Sequence, residues 1–129
     1  MAGKFQHISA REERGVLILA IELARISSYE QAEAMGRELI AAVEGKPAPK
    51  VVVDMSKLTY MSSVGYGPLI TLRSRVRADN GRIILCGLSG VVKDVFEATR
   101  LLINPHSPKS LFEFTETLDQ AIGLLAESK

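Results

Sequence analysis

Two adjacent serines, Ser62 and Ser63, hold a position where a hydroxyl can do chemistry. They follow Val51-Val52-Val53-Asp54-Met55-Ser56, a β-branched run that closes in polar turn residues. They precede Val64-Gly65-Tyr66-Gly67, where a helix should begin. Two roles fit a serine there. Its hydroxyl can accept a bond from an orphan backbone N–H and so cap the helix. It can also accept a phosphoryl group, adding roughly −1.5 to −2 charge at pH 7. The N–H groups and dipole of a helix start favour an anion, so the fold would tolerate that charge. A partner packed over the same surface would have to desolvate it. In open α/β sheets the carboxyl edge of the strands is where ligands and partners usually meet the fold.

A helix starting here places Gly65, Leu69, Leu72 and Val76 on one inward face at ~100° per residue. The opposite side carries Ser63, Gly67, Ile70, Ser74 and, less centrally, Arg77, which share a stripe. Small residues around an outward isoleucine form a shallow surface for a partner helix or loop. The competing reading is that a neighbouring loop covers Ile70, or that it is one ordinary exposed apolar residue. Arg73, Arg75 and Arg77 read as a solvated flank rather than a nucleic-acid patch, because no aromatics interleave with them.

Other chemistries lack their residues. His7 and His106 have no metal-ligand spacing. Met61-Ser62-Ser63-Val64-Gly65 lacks the first glycine of a G-x-S-x-G elbow, and no G-x-x-x-x-G-K-[ST] loop exists. Asp54 reads as the residue that closes the strand-end turn rather than a base. Gly87-Leu88-Ser89-Gly90 reads as a helix-cap turn rather than an anion site. Cys86 reads as a small buried apolar residue. No cofactor and no catalytic role are expected.

At 129 residues the chain should be a single domain, 1–129, with 47% apolar and 24% charged residues. A net charge of +1 implies no field for nucleic acid or membrane. No run is long enough to span a bilayer, and a lone cysteine fits a reducing cytoplasm.

The elements that must position the serines follow from periodicity. Residues 4–9 suggest a short edge strand, residues 11–15 a polar turn and residues 15–22 a strand, together an antiparallel pair. Ser27 and Ser28 cap a first helix with Tyr29, Ala32, Met35, Leu39 and Val43 on one apolar stripe. Gly45-Lys46-Pro47-Ala48-Pro49 ends it. Beyond the second helix come a turn at Asn80-Gly81 and a strand over 82–86. A third helix follows, capped by Ser89, with Val91, Val95, Phe96 and Thr99 inward. A loop at 104–108 and a strand over 111–114 lead to a last helix capped by Thr115, with Leu118, Ala121, Ile122 and Leu125 inward. The class is α/β: an antiparallel hairpin, then parallel strands with right-handed crossovers, and four helices.

Asp54-Met55-Ser56 followed by Tyr60-Met61-Ser62-Ser63-Val64-Gly65-Tyr66-Gly67 resembles the signature of STAS domains, most of all the small bacterial anti-sigma-factor antagonists. That family's pattern is D-L-S, then an aromatic or apolar pair and D-S-S/T-G-L-G. The resemblance implies a STAS-like mixed sheet and a non-enzymatic module that binds an anti-sigma factor and frees a sigma factor. The partner would be an anti-sigma factor and serine kinase of the histidine-kinase-like ATPase type, with a phosphoserine phosphatase resetting the switch. Alignment of the motif places Ser63 on the family's phosphoserine, with Ser62 the second choice. Ser62 then stands where the family has Asp, and Val64 where it has a second Ser or Thr. Ser62, Ser63, Gly67, Ile70, Ser74 and Arg77 would face the partner, and Asp54, Ser56 and Gly65 would build the motif. A second reading is a STAS subunit of a transport or lipid-trafficking complex, docked constitutively on an ATPase without phosphorylation. Weak nucleotide binding or hydrolysis is a third.

Overall fold

The fold is seen in a computed structural model, which describes residues 5–98 and 112–127. Its centre is a five-stranded sheet in the order β1-β2-β4-β6-β7. The strands are β1 (Ile8–Glu13), β2 (Val16–Ile21), β4 (Lys50–Asp54), β6 (Arg82–Cys86) and β7 (Glu113–Thr115). β1 and β2 are antiparallel, and β2, β4, β6 and β7 are parallel neighbours. The helices are α1 (Tyr29–Val43), α2 (Tyr66–Ala78), α3 (Gly90–Ala98) and α4 (Leu118–Ala126). Two short strands, β3 (Arg25–Ile26) and β5 (Tyr60–Met61), pair in parallel as a separate ribbon.

Alternation along each strand divides the core in two. Leu17, Leu19, Ile21, Val51, Val53, Ile83 and Leu85 face α1, α2 and α3, which supply Met35, Leu39, Leu69, Leu72, Val92 and Phe96. Val16, Ile18, Val52, Ile84 and Cys86 face α4 through Ala121, Ile122 and Leu125. Each new parallel strand joins the same side of the sheet, so right-handed crossovers stack α1 to α3 on one face. Each fully buried Leu or Ile contributes about 1.5–3 kcal/mol.

Several expectations shift. The hairpin turn is Arg14-Gly15 alone, both at positive φ (56° and 78°), so β1 runs on to Glu13 through residues read as turn. Five of its six residues are exposed, which hides the alternation that betrays most strands. Thr117, not Thr115, caps α4: its side chain accepts from the N–H of Gln120, whose own side chain bonds back. Thr115 ends β7 instead. Val91 points outward at 56% exposure, and Val92 takes the inward place. Ser89 precedes α3 but does not cap it through its side chain, whose hydroxyl is buried without a partner among the described residues. Lys4, Thr99, the 104–108 loop and Leu111 lie outside the described residues, as does the side chain of Val95.

The N-terminal segment is tied to α1 by one carboxylate. Glu38 accepts from the backbone N–H of Gln6 (3.1 Å), His7 (2.9 Å) and Ile8 (3.2 Å), and meets His7 Nδ1 at 2.7 Å. Burial alone would raise its pKa, but the hydrogen bonds from His7 and Gln6 outweigh that and hold it below the ordinary value.

Candidate functional site

β4 delivers the chain to the carboxyl edge of the sheet, and a local hydrogen bond turns it. Asp54 Oδ1 accepts from the backbone N–H of Ser56 at 3.0 Å. Gly87 crosses behind this turn at φ 73°, where a Cβ would sit 3.1 Å from Ser56 and 3.2 Å from Asp54 Oδ1. The chain then adds β5 to β3. Thr59 N–H and Oγ1–H both donate to Ala24 O, at 2.7 and 2.9 Å, and Ser62 N–H donates to Ile26 O at 2.9 Å. The Arg25 guanidinium lies over the Tyr60 ring, 4.6 Å from its centroid. Ser62 and Ser63 thus leave a short ribbon pinned at both strands.

Between that ribbon and α2 lies one 3-10 turn, Ser63–Gly65. Ser62 occupies its N-cap position without a side-chain bond, and Gly65 heads α2 without one. Neither serine caps a helix through its hydroxyl. Ser63 is exposed and its hydroxyl has no partner among the described residues, while Ser62 is half-buried. The first turns carry no acidic residue, so nothing there opposes an incoming anion. α2 begins at Tyr66, and Pro68 stands in its first turn, where a missing N–H costs no helix bond. That proline was the sequence signal that the helix proper starts after the serines.

Gly67, Ser74 and Arg77 are exposed on α2. Ile70 is half-buried and packs partly against the core, so the stripe is flatter than an outward isoleucine would make it. Gly65 is required by close packing: a Cβ there would collide with both Cγ and Sδ of Met61. Gly65→Ala should therefore cost about 1–3 kcal/mol through overpacking. Thermal denaturation of the variant checks this, and an unchanged melting temperature would show that Met61 can move aside.

The family model for the STAS domain matches residues 7–121. The chain belongs to the STAS family. Among relatives of this STAS protein, one named anti-sigma factor antagonist BtrV, from Bordetella bronchiseptica, is 34% identical over 89 residues, covering 68% of this chain and 73% of its own. An anti-sigma-factor antagonist (STAS) domain protein from Planctomyces limnophilus superposes with a TM-score of 0.76 at 18% identity, covering 92% of this chain and 96% of its own. The anti-sigma factor antagonist SpoIIAA, solved in its unphosphorylated form, superposes with a TM-score of 0.63 at 18% identity, covering 93% and 98%.

Tyr66 lies where the STAS motif has leucine, and periodicity could have placed it inward, three residues before Leu69. Its ring packs edge-on against Phe96, centroids 4.7 Å apart, and is 6% exposed. Its hydroxyl is buried with no partner among the described residues, and that burial pushes its pKa up to about 12. A buried hydroxyl without a bond costs about 1–3 kcal/mol. Tyr66→Phe should raise stability by about 1 kcal/mol, read as a higher urea midpoint at unchanged slope. A lower midpoint would mean that the hydroxyl has a partner in solution.

Cys86, fully buried under α4, is unreactive: burial first and the nearby Asp54 charge second push its thiol up to about 12. Among the described residues no group of His, Cys, Asp and Glu could hold a metal, and no helix is long and apolar enough to cross a membrane.

Proposed function

We propose that this STAS protein is an anti-sigma-factor antagonist whose partner binding is switched by phosphorylation of Ser63. One observation carries the reading: Ser63 presents an exposed, unbonded hydroxyl at the head of α2, beside a face of small residues. The name of its 34% identical relative supports the same role. The unmodified protein binds an anti-sigma factor of the histidine-kinase-like ATPase type through Ser62, Ser63, Gly67, Ile70, Ser74 and Arg77, and a sigma factor is released. The ATPase acts as a serine kinase and transfers phosphate to Ser63. The charge is accepted by the bare start of α2 and rejected by the partner, which would have to bury it. A phosphoserine phosphatase restores binding. The protein itself is not an enzyme.

The test is phosphosite mapping after incubation with the host's anti-sigma factor ATPase and ATP, and on protein isolated from that host. Phosphate on Ser63, lost in Ser63→Ala, is the expected result. Phosphate on Ser62 alone would move the switch by one residue. No phosphate under any growth condition would favour constitutive docking on the ATPase of a transport or lipid-trafficking complex.

A further inference from the structure

Residues 5–7 run along α1 just ahead of β1, and one side chain holds them there. Three successive backbone N–H groups, those of Gln6, His7 and Ile8, converge on the Glu38 carboxylate at 3.1, 2.9 and 3.2 Å. The His7 ring adds a fourth donor, with Nδ1 2.7 Å from Oε2. Two carboxylate oxygens offer about four acceptor positions, so Glu38 spends them all on this segment. Among the described residues one other hydrogen bond holds residues 5–7, from the N–H of Glu22 to His7 O at 2.9 Å. Phe5 supplies the apolar contact. It packs partly against the core, three residues ahead of the buried Ile8.

Hydrogen bonds to an ionised acceptor are roughly twice as strong as neutral ones, and these four share a single charge. Loss of that charge weakens all of them at once. The sheet does not depend on it: β1 pairs with β2 from Ile8 to Glu13, and β2, β4 and β6 pair with one another. We propose that residues 5–7 are a strap latched to α1 by Glu38, which opens as one unit when the carboxylate loses its charge while the sheet stays closed. Opening frees Phe5 from the core and uncovers the side of α1 around Glu38.

Acid is the trigger. Against burial, which would raise it, the bonds from His7 and Gln6 hold the Glu38 pKa below its ordinary value. A carboxyl lowered in this way favours the closed strap above the ordinary carboxylate pKa, and that contribution is lost as pH falls through the lowered one. Among the described residues His7 is the one group whose charge acts on Glu38. Its ring donates through Nδ1 in the cation and in the neutral tautomer that the carboxylate selects. The neighbouring charges are matched elsewhere: Glu22 with Lys57 and Ser9, Arg11 with Glu13 on β1, and Arg75 of α2 with Glu44.

Amide hydrogen exchange of the full chain, followed by NMR from pH 7 downward, tests the latch. Protection factors, referred to the unstructured chain at each pH, are read at Gln6, His7 and Ile8, with Leu19, Val53 and Leu85 of the central strands as references. The first three should lose protection at least tenfold with one shared midpoint, while the references hold. Glu38→Gln, which keeps one acceptor oxygen and turns a donor toward the same amides, should show that loss already at pH 7 and no further step in acid. Wild-type protection at residues 6–8 in Glu38→Gln overturns the proposal, as do three separate midpoints in the wild type. Loss at Leu19, Val53 and Leu85 at the same pH, or failure of Glu38→Gln to fold, would make Glu38 a support of the whole domain and overturns it equally.

Discussion

Ser63→Asp should lower affinity for the anti-sigma factor about 100-fold, close to 3 kcal/mol, while Ser63→Ala binds as the wild type does. The asymmetry comes from where the charge falls. In the free protein the new carboxylate sits at the start of α2, where neither the 3-10 turn nor the first helical turn holds an acidic side chain. A charge there is neutral or stabilising by about 0.3–1 kcal/mol, so the melting temperature should hold or rise slightly. In the complex the same carboxylate loses its water and faces a surface shaped for a hydroxyl. Calorimetric titration against the purified ATPase reads the affinity, and differential scanning calorimetry reads the fold. Equal binding by the Asp and Ala variants would sink the charge mechanism. A large drop in melting temperature would mean that Ser63 holds the fold rather than signals from it.

Phe96→Ala should be the most destabilising single truncation, at about 3–5 kcal/mol. Phe96 is fully buried and is the middle ring of three. Tyr66 meets it edge-on at 4.7 Å and Phe112 at 6.1 Å. Its loss leaves a cavity between α3, the head of α2 and Phe112 at the entry to β7. Against a typical total of about 5–15 kcal/mol, this would leave a marginal protein. Urea denaturation checks the size of the effect. Phe96→Leu, which refills most of the volume, should recover more than half of it. A cost below about 1 kcal/mol would mean that the three rings are not the joint between α2 and α3.

Much of the architecture was readable because its signals are local. The inward faces of α1, α2 and α4 follow from a period of 3.6 residues, and Ala32, Met35, Leu39, Leu69, Leu72, Val76, Ala121, Ile122 and Leu125 are all buried. The misplacements cluster where local signals compete. β1 lies at a sheet edge, exposed along most of its length, so no alternation marks it. Thr115 and Thr117 both suit a helix cap, and only Thr117 has glutamine three residues on, which decides between them. Val91 and Val92 are equally apolar, and it is Val92, four residues before the buried Phe96, that shares its inward face.

The site divides in the same way. The amino-acid order alone determined that two serines, a strand-end aspartate and a glycine would meet just ahead of a helix, since all lie within a dozen residues of one another. It could not say that both hydroxyls would go unused as caps. That outcome depends on pairing residues 25–26 with 60–61, more than thirty positions away, which holds Ser62 extended and inserts a 3-10 turn before α2. Nor could it show that Tyr29, 68% exposed, would leave the core to stand beside Val64, in a groove that exists only once α1 and α2 pack together. Short-range periodicity dictates which face of an element turns inward. What remains exposed next to what is decided by contacts between segments distant in the chain, and those form only when the whole domain closes.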